Sequence, residues 1–157
     1  MSFIREIPLF HRYELEMRLA TWDERWMYSY TRFLLVPDGR RVPNAVYVKN
    51  RNGEDRILAT VAYAKNCFKL SSQRNSLHPS RAFAMAGMGE DAANWQRAVA
   101  LRLQGRKKAR AFLCEEGVPE GMEMYEERRL AGLELIRKLD DKASWLALDA
   151  FVTGAAL

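Results

Sequence analysis

The segment His11–Val36 constrains the fold of this chain most, because apolar and polar residues alternate along two strand-length runs. A β-strand points successive side chains to opposite faces, so a period of two indicates a strand with one buried face. The first run alternates apolar Tyr13, Leu15, Met17 and Leu19 with charged Glu14, Glu16 and Arg18. The second run, Trp26–Val36, is rich in aromatic residues and follows the polar turn Asp23-Glu24-Arg25. We therefore predict a β-hairpin with the Tyr13 face in the core and the Glu14 face in solvent.

Further strand signals lie on both sides of this hairpin. Pro8 lacks the N–H that a central strand needs, so we expect Ser2–Phe10 to be an edge strand. Ala45–Lys49 predicts a short strand, and the Asn52-Gly53 pair is typical of a tight hairpin turn. Arg56–Leu70 has small apolar residues on both faces, which indicates a central strand covered on both sides.

The second half of the chain is predicted to be helical. A polar loop, Ser71–Ser80, precedes three predicted helices, at Glu90–Leu113, Glu120–Leu139 and Ala143–Val152. Gly105 is expected to break the first of them. Strands followed by helices are typical of an α+β fold with an antiparallel sheet. We expect one domain over residues 1–157, with the sheet in residues 1–70 and the helices in residues 81–152. The sheet is predicted to be curved and to have roughly four to five strands.

The composition is that of a globular protein, with 157 residues and a hydrophobic fraction of 48%. No apolar run reaches the roughly 18 residues that span a bilayer. Arg5 and Glu6 interrupt the apolar N-terminus, which therefore does not match a signal peptide, and we expect a cytoplasmic protein. In that compartment Cys67 and Cys114 are expected to be free thiols. The His and Cys residues have no metal-ligand spacing, so we expect neither a metal nor another cofactor.

The formal net charge of +5 is concentrated in Arg102–Arg110. Clustered cations favour nucleic-acid binding, because they release counterions from phosphates. The alternative is a solvated helix face balanced by the acidic Glu115–Glu127 region. No known nucleic-acid-binding signature accompanies the basic run, so we favour the solvated face and expect no nucleic-acid partner.

Three parts of the chain carry a family resemblance. They are the hairpin, with Pro8-Leu9, Tyr13, Trp22-Asp23-Glu24-Arg25-Trp26, Tyr28 and Phe33; the run Ala64–Lys69 with Arg74 and His78-Pro79; and the helix Glu126–Leu133. Together they resemble hot-dog-fold, thioesterase-like proteins, in particular fungal acyl-CoA thioesterase-like and 4-hydroxybenzoyl-CoA thioesterase-like members. The Trp-Asp-Glu-Arg-Trp turn is the most specific part of the match.

This resemblance implies acyl-thioester chemistry and a homodimer. Complete hot-dog proteins begin with a strand and a long central helix that holds the usual catalytic acid, and the match begins after that segment. No catalytic residue is therefore carried over from the family, and it stays open whether Met1 is the true start of the protein. The C-terminal helices or a partner subunit are expected to cover the sheet in place of the central helix.

The residues themselves give His11, Asp23 and Lys65 as candidate catalytic groups. His11 suits a general base near neutral pH, or it is a strand-end histidine bonded to the backbone. Asp23 suits an acid that activates water, or it bonds the N–H groups of its own turn. Lys65 suits binding of an acyl carbonyl or an enolate, or it is a strand-end lysine that extends to solvent.

Four tyrosines are candidate substrate-binding residues: Tyr13, Tyr28, Tyr30 and Tyr63. Aromatic residues at strand spacing are also the usual content of a core. The predicted function is metal-free hydrolysis, or lactone-forming cyclisation and release, of an acyl or polyketide-type ligand in natural-product biosynthesis. The alternatives are a dimeric, non-enzymatic ligand-binding or assembly module, and a basic nucleic-acid-associated protein.

Overall fold

The computed structural model describes residues 2–39, 42–70, 76–89, 93–139 and 142–154. Its strands are β1 (Ser2–Phe3), β2 (Tyr13–Trp22), β3 (Met27–Leu35), β4 (Tyr47–Lys49), β5 (Asp55–Asn66), β6 (Phe68–Lys69) and β7 (Ser76–Leu77). Its α-helices are α1 (Pro79–Met85), α2 (Ala93–Leu103), α3 (Arg106–Cys114), α4 (Glu126–Arg137) and α5 (Lys142–Thr153). A single 3-10 turn at Glu123–Tyr125 leads into α4.

Five of the described strands form an antiparallel sheet in the order β1-β5-β3-β2, with β4 also paired to β5, and β6 and β7 form a separate two-stranded sheet. Ser2 of β1 lies opposite Val61, and Tyr47 of β4 lies opposite Ile57. The turn between β4 and β5 is closed by the bond from the Gly53 N–H to the Asn50 carbonyl. Gly53 has a φ of 80°, a conformation that glycine adopts without strain. The α+β class, the central position of β5 and this hairpin turn are confirmed.

The chain divides into two compact units, of which the first comprises Met1–Ala20, Ser29–Ala64 and Leu135–Leu157. In this first unit α5 covers one face of the sheet. Trp145, Leu148 and Val152 of the helix pack in one cluster with buried sheet residues, namely Ala20, Tyr30, Leu34, Leu58 and Val61. A second cluster, built on Leu35, Ile57 and Ala59, is covered by Ile7, Val42 and Ala45. The helix predicted at Ala143–Val152 is therefore confirmed, and its apolar residues supply the cover of the sheet.

The face of β2 that lies inward is the opposite of the predicted one. Tyr13, Leu15 and Met17 are 51%, 54% and 71% exposed, whereas Glu14, Glu16 and Arg18 are half-buried. The charged face turns inward because it meets arginines there: Arg56 binds Glu14, and Arg32 binds Glu16. Alternation identified the strand correctly, but hydrophobicity alone assigned the wrong side to the interior.

The second unit comprises Thr21–Tyr28 and Lys65–Glu134. Its centre is Trp22, whose indole packs edge-on against Phe83 at 5.0 Å and donates a hydrogen bond to Ser80 Oγ at 2.8 Å. The Arg129 guanidinium donates to the Trp22 carbonyl, which fixes α4 beside the hairpin turn. Arg81 is also buried, and it binds the Glu115 carboxylate at 2.7 Å beyond the end of α3.

One prediction for the second half needs correction, and one is confirmed. Ser71–Ser80 is not a loop throughout: residues 71–75 lie outside the described part, but Ser76–Leu77 pairs with β6, and α1 begins at Pro79. Trp95, Val99 and Leu103 lie on α2, and their side chains are exposed. The break at Gly105 is confirmed, since α2 ends at Leu103, α3 begins at Arg106 and Gly105 has a φ of 94°.

Candidate functional site

A cleft of about 550 Å³ in the first unit is the strongest candidate site among the described residues. This volume falls in the range of small-molecule pockets. Its polar residues are Arg18, Arg32, Lys49, Asn50, Asp149 and Thr153, and its apolar wall is formed by Tyr47, Val48, Leu146 and Ala150. Charged groups next to an apolar wall suit a ligand with a polar head and a hydrocarbon body.

Arg32 is the central charge of this cleft, although it is only 2% exposed. Its guanidinium binds Glu16 Oε2 at 2.5 Å through Nη2 and lies 3.5 Å from Asp149 Oδ1 through Nη1. Nη2 also donates to the Lys49 carbonyl at 3.1 Å. The Nε–H donor is buried and has no hydrogen-bond partner among the described atoms. An unpaired buried donor is costly, so the charge cluster holds Arg32 at an expense in stability.

The two carboxylates that share Arg32 have pKa values displaced in opposite directions. Burial raises the pKa of Asp149 above its ordinary value, and this effect exceeds the lowering by Arg32 and by the Tyr30 hydroxyl. Burial also raises the pKa of Glu16, but hydrogen bonds from Arg32 and from the Arg51 N–H outweigh it and leave this pKa below its ordinary value. Two carboxyl groups whose pKa values differ in this way are suited to different roles: Asp149 to proton transfer and Glu16 to remaining an anion.

Tyr30 fixes the orientation of Asp149. Its hydroxyl donates to Asp149 Oδ1 at 3.0 Å, and burial, followed by the nearby carboxylate, raises the pKa of this phenol. Tyr30 therefore remains a protonated donor. Among the described residues none donates to Asp149 Oδ2, so that oxygen is the one available for a ligand.

This arrangement can bind and polarise a carbonyl group. Arg18 lines the cleft with about a third of its side chain exposed, and its only described ion pair is a distant one, 3.7 Å from Glu16. Arg18 is thus a group able to hold an oxygen that gains negative charge. Asp149, whose raised pKa makes it a stronger base than an ordinary carboxylate, can take a proton from an attacking hydroxyl and pass it to a leaving group.

The predicted site residues do not converge on this cleft, with the partial exception of Tyr30. Three of them meet in the second unit, where Tyr28 donates to Asp23 Oδ2 at 2.8 Å and the Lys65 amine lies 5.4 Å from the Tyr28 ring centroid. Asp23 Oδ1 accepts the N–H groups of Arg25 and Trp26. Burial raises the pKa of Asp23, but these bonds outweigh it, so this pKa lies below its ordinary value. Asp23 therefore closes its turn as an anion.

The other predicted residues lie in the first unit. His11 is half-buried and its Nε2 lies 3.0 Å from the Val36 carbonyl, which matches the backbone-bonded alternative. Tyr13 is exposed and packs against Phe33 at 6.2 Å. Tyr63 packs against Trp145 at 5.8 Å, beside the core cluster under α5. Their assignment to catalysis or substrate binding stays a prediction.

The sequence did contain a signal for the residues that were missed. Arg32 interrupts the run Tyr28–Leu35, and Asp149 interrupts the apolar Trp145–Val152. A lone charge within a buried apolar segment is rarely buried without a partner. Pairing these two charges across the fold would have predicted their contact, whereas strand periodicity alone could not.

Within the described part of the chain, no three His, Cys, Asp or Glu side chains are grouped as metal ligands. No described helix combines the length and hydropathy needed to cross a bilayer. Comparison with protein-family models, curated proteins and solved structures found no match for this chain.

Proposed function

We propose that this chain is a thioesterase-like protein, related to the hot-dog family, that acts on an acyl or polyketide-type ligand. The observation that carries the proposal is the cleft in which Asp149, with a raised pKa, lies beside Arg18 and Arg32. The apolar wall at Val48 and Leu146 accommodates an acyl body of such a ligand. The sequence resemblance, which was drawn from other residues, supports the same substrate class.

The proposed reaction is hydrolysis or lactone-forming release of a thioester. An oxygen, from water or from a hydroxyl of the substrate, attacks the thioester carbonyl carbon while Arg18 stabilises the charge on the carbonyl oxygen and Arg32 holds Asp149 in place. The Asp149 carboxylate takes the proton of the attacking hydroxyl and passes it to the sulfur as the C–S bond breaks. Cyclisation requires no bound water. A pocket that holds the substrate with its hydroxyl next to its carbonyl lowers the barrier to ring closure by roughly 7–11 kcal/mol through orientation alone.

Turnover of an acyl-CoA panel and of unsaturated β-keto acids and esters tests this proposal. Asp149→Asn keeps an acceptor for Tyr30 and removes the carboxyl group that transfers the proton, so it should lower kcat by about 10²–10⁴-fold. His11→Ala, Asp23→Asn and Lys65→Met test the other predicted groups in the same assay, and exposed Arg12→Gln serves as the control. Absence of turnover by the wild type in both panels, or Asp149→Asn at full activity, would contradict the proposed chemistry.

A second candidate, a dimeric ligand-binding or assembly module, is favoured by one observation. β2 lies at the end of the described strand order and exposes Tyr13, Leu15 and Met17 on one face. Apolar residues on an unpaired edge strand favour association with another chain. Native mass spectrometry separates the candidates: a homodimer that retains acyl ligand unconverted would support the module, and conversion of the ligand would support the enzyme.

A cytoplasmic location is part of the same proposal. Neither Cys67 nor Cys114 forms a disulfide with a described residue, and thiols persist in a reducing compartment. The lining of the cleft belongs entirely to the first unit.

A further inference from the structure

The helices α2 and α3 of the second unit carry an unusual concentration of positive charge. Residues 93–114 contain six arginines and lysines and no acidic residue. Arg97 is paired with Glu120 at 2.7 Å. The other cations are exposed and make no ion pair with another described residue: Arg102, Arg106, Lys107, Lys108 and Arg110. These five cations are therefore not ion-paired with the acidic residues that follow them in sequence.

The same helices expose an apolar stripe. Trp95, Val99 and Leu103 recur every four residues on α2, and they are 50%, 39% and 84% exposed. Trp95 rests on the backbone of Gly87, where an added methyl group would lie 2.8 Å from the indole Cε3. The indole is therefore fixed in place with half of its surface outside. Arg102, seven residues after Trp95, falls on the same side of the helix.

The positive charge and the exposed apolar residues of α2 and α3, taken together, favour an anionic membrane over a nucleic acid as the partner. A nucleic acid satisfies the cations, but it does not bury an aliphatic stripe such as Val99 and Leu103. An anionic membrane surface satisfies both, since Leu and Trp enter the interface while Arg and Lys side chains extend to lipid phosphates. Tryptophan is also favoured at the level of the lipid headgroups.

We propose that the basic–apolar surface of α2 and α3, formed by the stripe and the five unpaired cations, docks the protein on an anionic phospholipid membrane. Docking is peripheral: the stripe reaches the headgroup boundary and the cations bind lipid phosphates and carboxylates. The surface lies entirely in the second unit, so the inference is independent of the cleft and of the proposed reaction.

Sedimentation of the full chain with vesicles tests the inference. Vesicles of phosphatidylcholine alone are compared with vesicles that also contain phosphatidylserine, at low and at raised salt. The wild type should bind the anionic vesicles, and raised salt should weaken this binding. Each cation contributes about a fivefold change in affinity, so the triple variant Arg106→Gln/Lys107→Gln/Lys108→Gln should bind about 100-fold more weakly. Leu103→Asp should abolish binding.

Matched controls separate this surface from general effects of charge and polarity. Leu130→Asp changes another exposed helical leucine, and Arg12→Gln/Lys69→Gln/Arg137→Gln removes three exposed cations elsewhere. Both controls should bind vesicles like the wild type, and circular dichroism verifies that every variant is folded. Failure to bind anionic vesicles, or equal binding by Leu103→Asp, overturns the inference. Salt-sensitive binding of an oligonucleotide, unchanged in Leu103→Asp and without vesicle binding, would assign the surface to nucleic acid instead.

Discussion

Replacing Arg32 by methionine tests the buried charge cluster most severely. The guanidinium holds Glu16 at 2.5 Å and lies 3.5 Å from Asp149, and its side chain is 3% exposed. Methionine fills a similar volume, so the change removes the charge without leaving a large cavity. What remains is a buried carboxyl group, Asp149, without its cation.

Removing one partner of a buried ion pair costs about 3–5 kcal/mol, because the other charge is left uncompensated. At about 2–4 °C per kcal/mol for a chain of this size, the melting temperature should fall by about 6–20 °C. The loss of stability caused by Arg32→Met should be smaller in acid than at neutral pH. Without Arg32 the pKa of Asp149 rises further, and the group then takes up a proton that removes its buried charge.

Thermal and urea unfolding, followed by circular dichroism across a pH series, measure this effect. Lys49→Met is the control, because the Lys49–Asp55 pair is 64% and 66% exposed and should contribute at most about 1 kcal/mol. Arg32→Met/Asp149→Asn should regain part of the lost stability, since the second change removes the uncompensated charge. A loss for Arg32→Met that is no larger than for Lys49→Met, or one that does not vary with pH, would refute the reasoning.

Three further changes test the second unit, each by denaturant unfolding. Gly89→Ala should destabilise by more than about 1 kcal/mol, since Gly89 has a φ of 142° and its Cβ would collide with Asn94 Nδ2; a neutral effect would contradict the close contact. Ser80→Ala should cost about 1–3 kcal/mol by leaving the buried Trp22 N–H without an acceptor, and a value near zero would show that the bond is dispensable. Because the pKa of Asp23 is lowered, its stabilisation should be present at neutral pH and lost as the pH falls through the lowered value. Asp23→Ala should flatten that acid limb, and an unchanged pH profile would contradict the assigned bonds.

Local patterns in the sequence were enough to predict several elements of the fold. The Asp23-Glu24-Arg25 turn, the Asn52-Gly53 turn and the α5 helix follow from neighbouring residues, and all three are present. Helix α1 was missed because its signal is short: a proline at its start and a capping His78 that accepts the Ser80 N–H.

The orientation of β2 and the composition of the cleft depend on residues far apart in the chain. Glu16 lies inward because Arg32 and the Arg51 N–H bind it, and neither contact can be inferred from the strand itself. Asp149 joins this cluster from the last helix, 117 positions after Arg32. The predicted site residues were chosen on the hairpin and on the long strand Arg56–Leu70, and among them Tyr30 contacts the charged cluster.

The central claim, that Arg18 and Asp149 line a site for an acyl carbonyl compound, is tested most directly by calorimetric titration of an acyl-CoA panel. Arg18→Gln removes an accessible cation of the cleft, whereas Arg12→Gln removes an exposed cation outside it. A hydrogen bond to a charged group contributes about 1.5–3 kcal/mol, so Arg18→Gln should weaken binding by about 10–150-fold, and Arg12→Gln should leave it unchanged. Equal affinity of Arg18→Gln and the wild type, or no heat of binding with any compound, would contradict the account.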